Sequence, residues 1–148
     1  MANTNVSEET RIRALIDNWV SAMRAKDADG VVSHYAPDNV KFILAPPLQY
    51  TRDNPFDKTG LEKWFSSFRG PIRYEKRDLH ITAGDEVAFC HSLNRMSATT
   101  TEGSNVDLWF RQTLGFRKLD GQWRITHEHS SVPFYMDGSY KAAIDLKP

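Results

Sequence analysis

A chain of 148 residues that sets 19 basic against 19 acidic side chains has no formal net charge. That balance argues against a surface dedicated to nucleic acid or anionic membrane, and the length suits a single domain over residues 1–148. No apolar run could span a bilayer and the N-terminus lacks a signal-peptide core, so the expected location is cytoplasmic.

One cysteine, Cys90, excludes an internal disulfide and most thiolate metal sites. It lies in a strand-like run and reads as a small buried hydrophobe. Four Trp, eight Phe and five Tyr suffice to build a core, line a pocket, or both.

Met1 to Val6 reads as a loose end. Ser7 can cap a helix, with Glu8 and Glu9 at the positive end of its dipole. Ile12, Leu15, Ile16, Trp19, Val20 and Met23 recur at helical spacing and form one apolar stripe. Asp27 or Asp29 opens a short second helix holding Val31, Val32 and Tyr35, which Pro37 ends. Val40 to Ala45 predicts a strand, and three prolines make Pro46 to Phe56 a loop. Thr59-x-x-Glu62 reads as a capping box for a third helix bearing Leu61, Trp64, Phe65 and Phe68, stopped at Gly70-Pro71.

The period then changes to two. Ile72 to Ala83 predicts a strand with a phase break between Tyr74 and Leu79. Glu86 to Thr99 predicts another. Val106 to Phe134 is a long hairpin about Asp120-Gly121, a strong turn signal. A two-residue turn would pair Leu114 with His127. A three-residue turn with Gly121 in the left-handed region would pair Leu114 with Thr126. One residue of slip sends every side chain to the other face. The tail from Tyr135 to Pro148 is weakly patterned. Helices first and long strands afterwards predict an α+β fold, with three helices packed in the concavity of a curved, mostly antiparallel sheet. A Gly-rich phosphate loop and a Ser nucleophile elbow are both missing, and no cofactor is expected.

The element order, with Y-A-P-D-N-V early and D-G-Q-W-R-I-T-H-E-H-S-S-V-P-F late, resembles the nuclear-transport-factor-2-like superfamily. More narrowly it resembles the SnoaL-like and ketosteroid-isomerase-like proteins, over roughly Ser7 to Phe134. The resemblance implies a cone whose open end holds a small apolar molecule. It also implies a homodimer paired through the convex sheet face. Aligned on the isomerases, the oxyanion tyrosine position holds Trp19, the base position falls on Phe42 or Ile43, and the second oxyanion position falls on Leu114. None of these titrates as that chemistry requires, so the resemblance carries the fold without the isomerase mechanism.

The same alignment implies that Phe110, Gln112, Leu114, Thr126, Glu128 and Ser130 point into the cone. Phe89, His91, Leu93 and Arg95 would point inward from the preceding strand. Trp19, Met23, Tyr35, Trp64 and Phe68 would join them from the helices, and Phe42 from the first strand. Glu128 and His91 are the candidate catalytic pair. A carboxylate in an apolar pocket is desolvated and its pKa raised, and a neighbouring imidazole can relay its proton. Against this stands a structural ion pair of Glu128 with Arg95 or Arg124, and a core role for His91.

His127 and His129 fall on the opposite face. They lack a third ligand at a recognisable spacing, so no metal is expected. With Trp109, Arg111, Thr113 and Ser131 they would form the dimer face. Two functional readings stand. One is an enzyme transferring protons on an apolar substrate, of the isomerase, cyclase or hydratase type. The other is a non-catalytic dimeric module for ligand binding or assembly.

Overall fold

The computed structural model describes residues 6–148. Most of the expected loose N-terminal end, Met1 to Asn5, lies outside the described residues. Helix α1 spans Glu8–Arg24, capped by Ser7, whose side chain accepts from the Thr10 amide at 3.1 Å. Its stripe of Ile12, Leu15, Ile16, Trp19 and Met23 is buried, chiefly against the long strand that follows the helices. Helix α2, Ala28–Val32, is capped by Asp27. It stops short of Tyr35, which instead opens strand β1, Tyr35–Phe42.

Helix α3 spans Lys58–Ser66. Its N-cap is Asp57, whose carboxylate accepts from the Gly60 amide at 3.3 Å, so the Thr59 capping box does not form. Phe68 is not helical either. It begins strand β2, Phe68–Ala83, which runs straight through Gly70-Pro71 with a register shift between Arg69 and Arg73. A second shift lies between Arg77 and His80, where Asp78 takes a φ of 54°. This is the phase break expected from the sequence.

Strands β3, Val87–Thr100, β4, Asn105–Leu119, and β5, Gln122–Ser131, complete a sheet of order β1-β5-β4-β3-β2. All neighbours are antiparallel except β1 and β5. The sheet curves around the helices, giving the α+β cone.

The β4–β5 hairpin matches neither register expected from its turn. Asp120 and Gly121, with φ of 51° and 78°, make a two-residue turn, and Phe116 pairs with Ile125. The register then shifts by one, so that Gly115 pairs with His127 and Leu114 with Glu128. Thr126 is the extra residue of this bulge, and its hydroxyl reaches the Gly115 carbonyl at 3.4 Å. Trp123 and Ile125 face the core before the bulge, Glu128 and Ser130 after it. Beyond β5 the tail folds back on itself, bridging Phe134 to Ala142 and burying Ala143. Among the described residues no helix is long and apolar enough to cross a membrane.

Candidate functional site

Glu128 is the carboxylate of the cone, 9% exposed on β5. The parallel pairing of β1 with β5 sets Lys41 directly beside it. Tyr35, at the start of β1, donates its hydroxyl hydrogen to Glu128 Oε1, and Trp19 Nε1 donates to the Tyr35 oxygen at 3.1 Å. Burial, reinforced by the charge of Glu128, pushes the Tyr35 pKa well above the usual tyrosine value. The phenol therefore stays protonated and orients the carboxylate.

Lys41 is buried, with Nζ donating to the Phe56 carbonyl at 2.8 Å and lying 4.1 Å from the Tyr35 ring centroid. Among the described residues it makes no ion pair. Burial lowers its pKa, an effect partly offset by the carboxylates of Glu128 and Asp57.

Behind this polar group lies a connected network. Gln112 Oε1 accepts from Lys76 Nζ at 2.5 Å and from Asn94 Nδ2 at 3.0 Å. Asn94 also donates to the Tyr74 hydroxyl and accepts from Ser92, while Gln112 donates to Ser130 at 3.3 Å. Among the described residues no buried side-chain polar atom lacks a partner. Desolvation pulls Lys76 down to about 8 and pushes Tyr74 well above its ordinary value.

The cavity that Glu128, Tyr35 and Lys41 face measures about 420 Å³. Its walls are mostly apolar. Trp19, Met23 and Val31 come from α1 and α2, Leu61 and Trp64 from α3, and Phe68 and Tyr74 from β2. Met96, Val106, Leu108 and Phe110 supply the sheet side. Ile43, Leu44, Ala45, Tyr50 and Phe56, from the segment after β1, close the rim. Trp19 meets Tyr74 edge-on with ring centroids 5.3 Å apart, and Trp64 meets Phe68 likewise at 5.1 Å. An apolar, aromatic-walled cleft with a few convergent polar groups is the usual make-up of a small-molecule site.

A SnoaL-like domain matches residues 12–135, most of the chain. The chain belongs to the SnoaL-like family. Its structure is similar to that of an NTF2-like protein of unknown function from Pseudomonas putida KT2440. The two share 33% identity over 97% of this chain and 100% of that one, with a TM-score of 0.83. A candidate scytalone dehydratase from Novosphingobium aromaticivorans DSM 12444 matches at 20% identity over 84% and 83%, with a TM-score of 0.73. An NTF2-like superfamily protein from Salmonella enterica serovar Typhimurium matches at 13% identity over 88% and 94%, also with a TM-score of 0.73. No curated protein sequence matches the chain.

In this SnoaL-like cone Trp19, Met23, Tyr35, Trp64, Phe68, Phe110, Gln112, Glu128 and Ser130 line the cavity, as expected. Strand β3 faces the other way. Its inward residues are Ala88, Cys90, Ser92, Asn94 and Met96, so Phe89, His91, Leu93 and Arg95 do not line the cavity. His91 is exposed and stacks on His80 with ring centroids 5.4 Å apart, which removes it as a partner for Glu128. Arg95 forms a two-pronged pair with Asp107, both contacts at 2.9 Å, and reaches Glu75. Arg124 bonds the Ser33 carbonyl and Gln122. Neither arginine is the partner of Glu128.

Phe42 lies outside the cavity and meets His127 and His129 edge-on, because Lys41 takes the inward position of β1. Leu114 is core beneath the cavity, and Thr126 is spent on the bulge. Among the described residues no group of three His, Cys, Asp or Glu could hold a metal.

The residues that sequence reasoning missed are Lys41, Tyr74, Lys76 and Asn94. All are polar or part-polar groups on inward strand positions, and for Lys41 alternation favours the apolar neighbours Val40 and Phe42. The signal was present for Tyr74 and Lys76, which share the parity of the buried Ile72.

Proposed function

We propose that this SnoaL-like protein binds an apolar small molecule in its cone and transfers a proton with Glu128, in an isomerase, cyclase or hydratase-type reaction. The observation that carries the reading is a carboxylate set in an apolar cavity and oriented by a protonated phenol. Glu128 accepts the substrate proton and returns it at another atom. Tyr35 holds the carboxylate in place, and the Lys41 amine faces the charge that develops on the substrate.

Native mass spectrometry, compared with the denatured mass, identifies the class of any ligand carried through purification. On a substrate found this way, Glu128→Gln should lower kcat by about 10²–10⁴-fold, the usual contribution of a positioned proton-transfer group. Unchanged turnover would overturn the catalytic role and leave a ligand-holding module. The same proposal pairs two copies through the convex face, where Val87 and Phe89 are exposed apolar residues. Sedimentation at micromolar concentration tests that pairing.

A further inference from the structure

We infer that Lys41 is an amine nucleophile that captures an aldehyde or ketone as an imine inside the cone. This names the substrate class of the proposed function and rests on that reading of the cavity.

Position sets Lys41 apart from the chain's other well-placed lysines. Lys58 lies 3.0 Å from an oxygen of Asp29 and Lys118 lies 2.8 Å from one of Glu8, so each is engaged in an ion pair. Lys76 lies behind the wall, with Nζ turned to Gln112. Lys41 lines the cavity itself, is buried, and has no carboxylate within ion-pair distance among the described residues. Among the described residues, the one hydrogen bond of its side chain goes to the Phe56 carbonyl. That contact uses a single N–H and steadies the side chain. Burial, the dominant influence on the amine, favours the neutral form that carries a lone pair.

The cross-strand register supplies the second half of the device. Lys41 and Glu128 are direct partners on adjacent strands, both turned inward. The amine attacks the carbonyl carbon, a C–N bond forms, and one proton of the nitrogen passes to the oxygen. The C–O bond then breaks, the hydroxyl leaves as water with the second proton of the nitrogen, and an imine remains. Protonated, that imine acidifies the neighbouring C–H. Glu128 takes this proton and returns it at the same carbon or along the conjugated chain. Water finally adds to the imine carbon, releases the carbonyl product and restores the amine.

The test is reductive trapping on the full-length protein. Hexanal and cyanoborohydride at neutral pH should give one alkyl adduct by intact mass, mapped to Lys41 by peptide digestion. It should appear several-fold faster there than at the exposed Lys58. Lys41→Arg cannot form an imine, and should lose the adduct at this position while the slower adduct at Lys58 persists. Adducts spread over surface lysines without preference for Lys41, in a protein that binds the dye anilinonaphthalene sulfonate in the cavity, would overturn the inference and leave the cavity reading intact. Failure of both dye binding and Lys41 trapping would overturn the two together.

Discussion

Tyr35 is tied at its hydroxyl to both Trp19 and Glu128, so its oxygen atom joins the helical layer to the sheet. Tyr35→Phe removes the donor and leaves a buried carboxylate short of one partner. Hydrogen bonds to charged groups contribute about 1.5–3 kcal/mol each, and a loss of that size is expected in urea unfolding. Lys76 gives the pH prediction. Its folded pKa, about 8, lies below the ordinary lysine value of 10.5. Between those values the unfolded chain binds the extra proton, so stability rises with pH across that window. Unfolding midpoints measured from pH 8 upward, kept below the tyrosine value of 10.0, should climb in the native protein. In Lys76→Met that climb should shrink to the part contributed by Lys41, whose pKa burial also lowers. At this scale Glu128 was legible because the resemblance to the cone fold put it at an inward position of the last strand. Lys41 was not, because a lysine flanked by Val40 and Phe42 reads as the solvent side of a strand.

Helix starts and strand registers were legible to different degrees. Ser7 caps α1 as its spacing predicts. At α3 two caps competed, and the carboxylate of Asp57, placed to meet the Gly60 amide, took the role from Thr59. Asp57→Ala should therefore cost about 1 kcal/mol, as N-cap losses do. Thr59→Ala should stay within about 0.5 kcal/mol in the same urea assay, as for an ordinary surface change.

Strand β3 shows why the alignment misassigned a face. Phe89 and Leu93 are the larger apolar residues, yet Ser92 and Asn94 face inward because a closed hydrogen-bond network satisfies them there. Pairing with β4 enforces that choice, since Asn94 lies opposite Phe110 and Cys90 opposite Leu114. The Thr126 bulge has a related effect in β5. Deleting Thr126 should force either Trp123 and Ile125 or Glu128 and Ser130 outward. Loss of the cooperative unfolding transition would report it.

For the molecule as a whole, the cavity is a standing cost that a ligand can offset. Wall atoms around about 420 Å³ of space lack packing partners. A ligand that binds only the folded cone, present at a hundred times its Kd, adds about 2.7 kcal/mol. For a domain of this size that corresponds to a rise in Tm on the order of 5–10 °C. A thermal-shift screen of apolar aldehydes and ketones against matched hydrocarbons should produce such rises. A carbonyl preference that Lys41→Arg abolishes is the expected pattern.

The α+β class and most elements along the chain were set by local chemistry: apolar spacing at 3.6 and then 2.0, caps, and the Asp120-Gly121 turn. These depend on neighbours within a few positions, so they survive in a linear string. Tertiary structure alone decided which face of each strand meets the helices. A bulge that adds one residue inverts a whole strand, and nothing local marks Thr126 or the inward turn of Lys41. The polar constellation of the cavity is of that second kind. Trp19, Tyr35, Lys41 and Glu128 lie on three elements far apart in the chain, and only the parallel pairing of β1 with β5 beneath α1 brings them together.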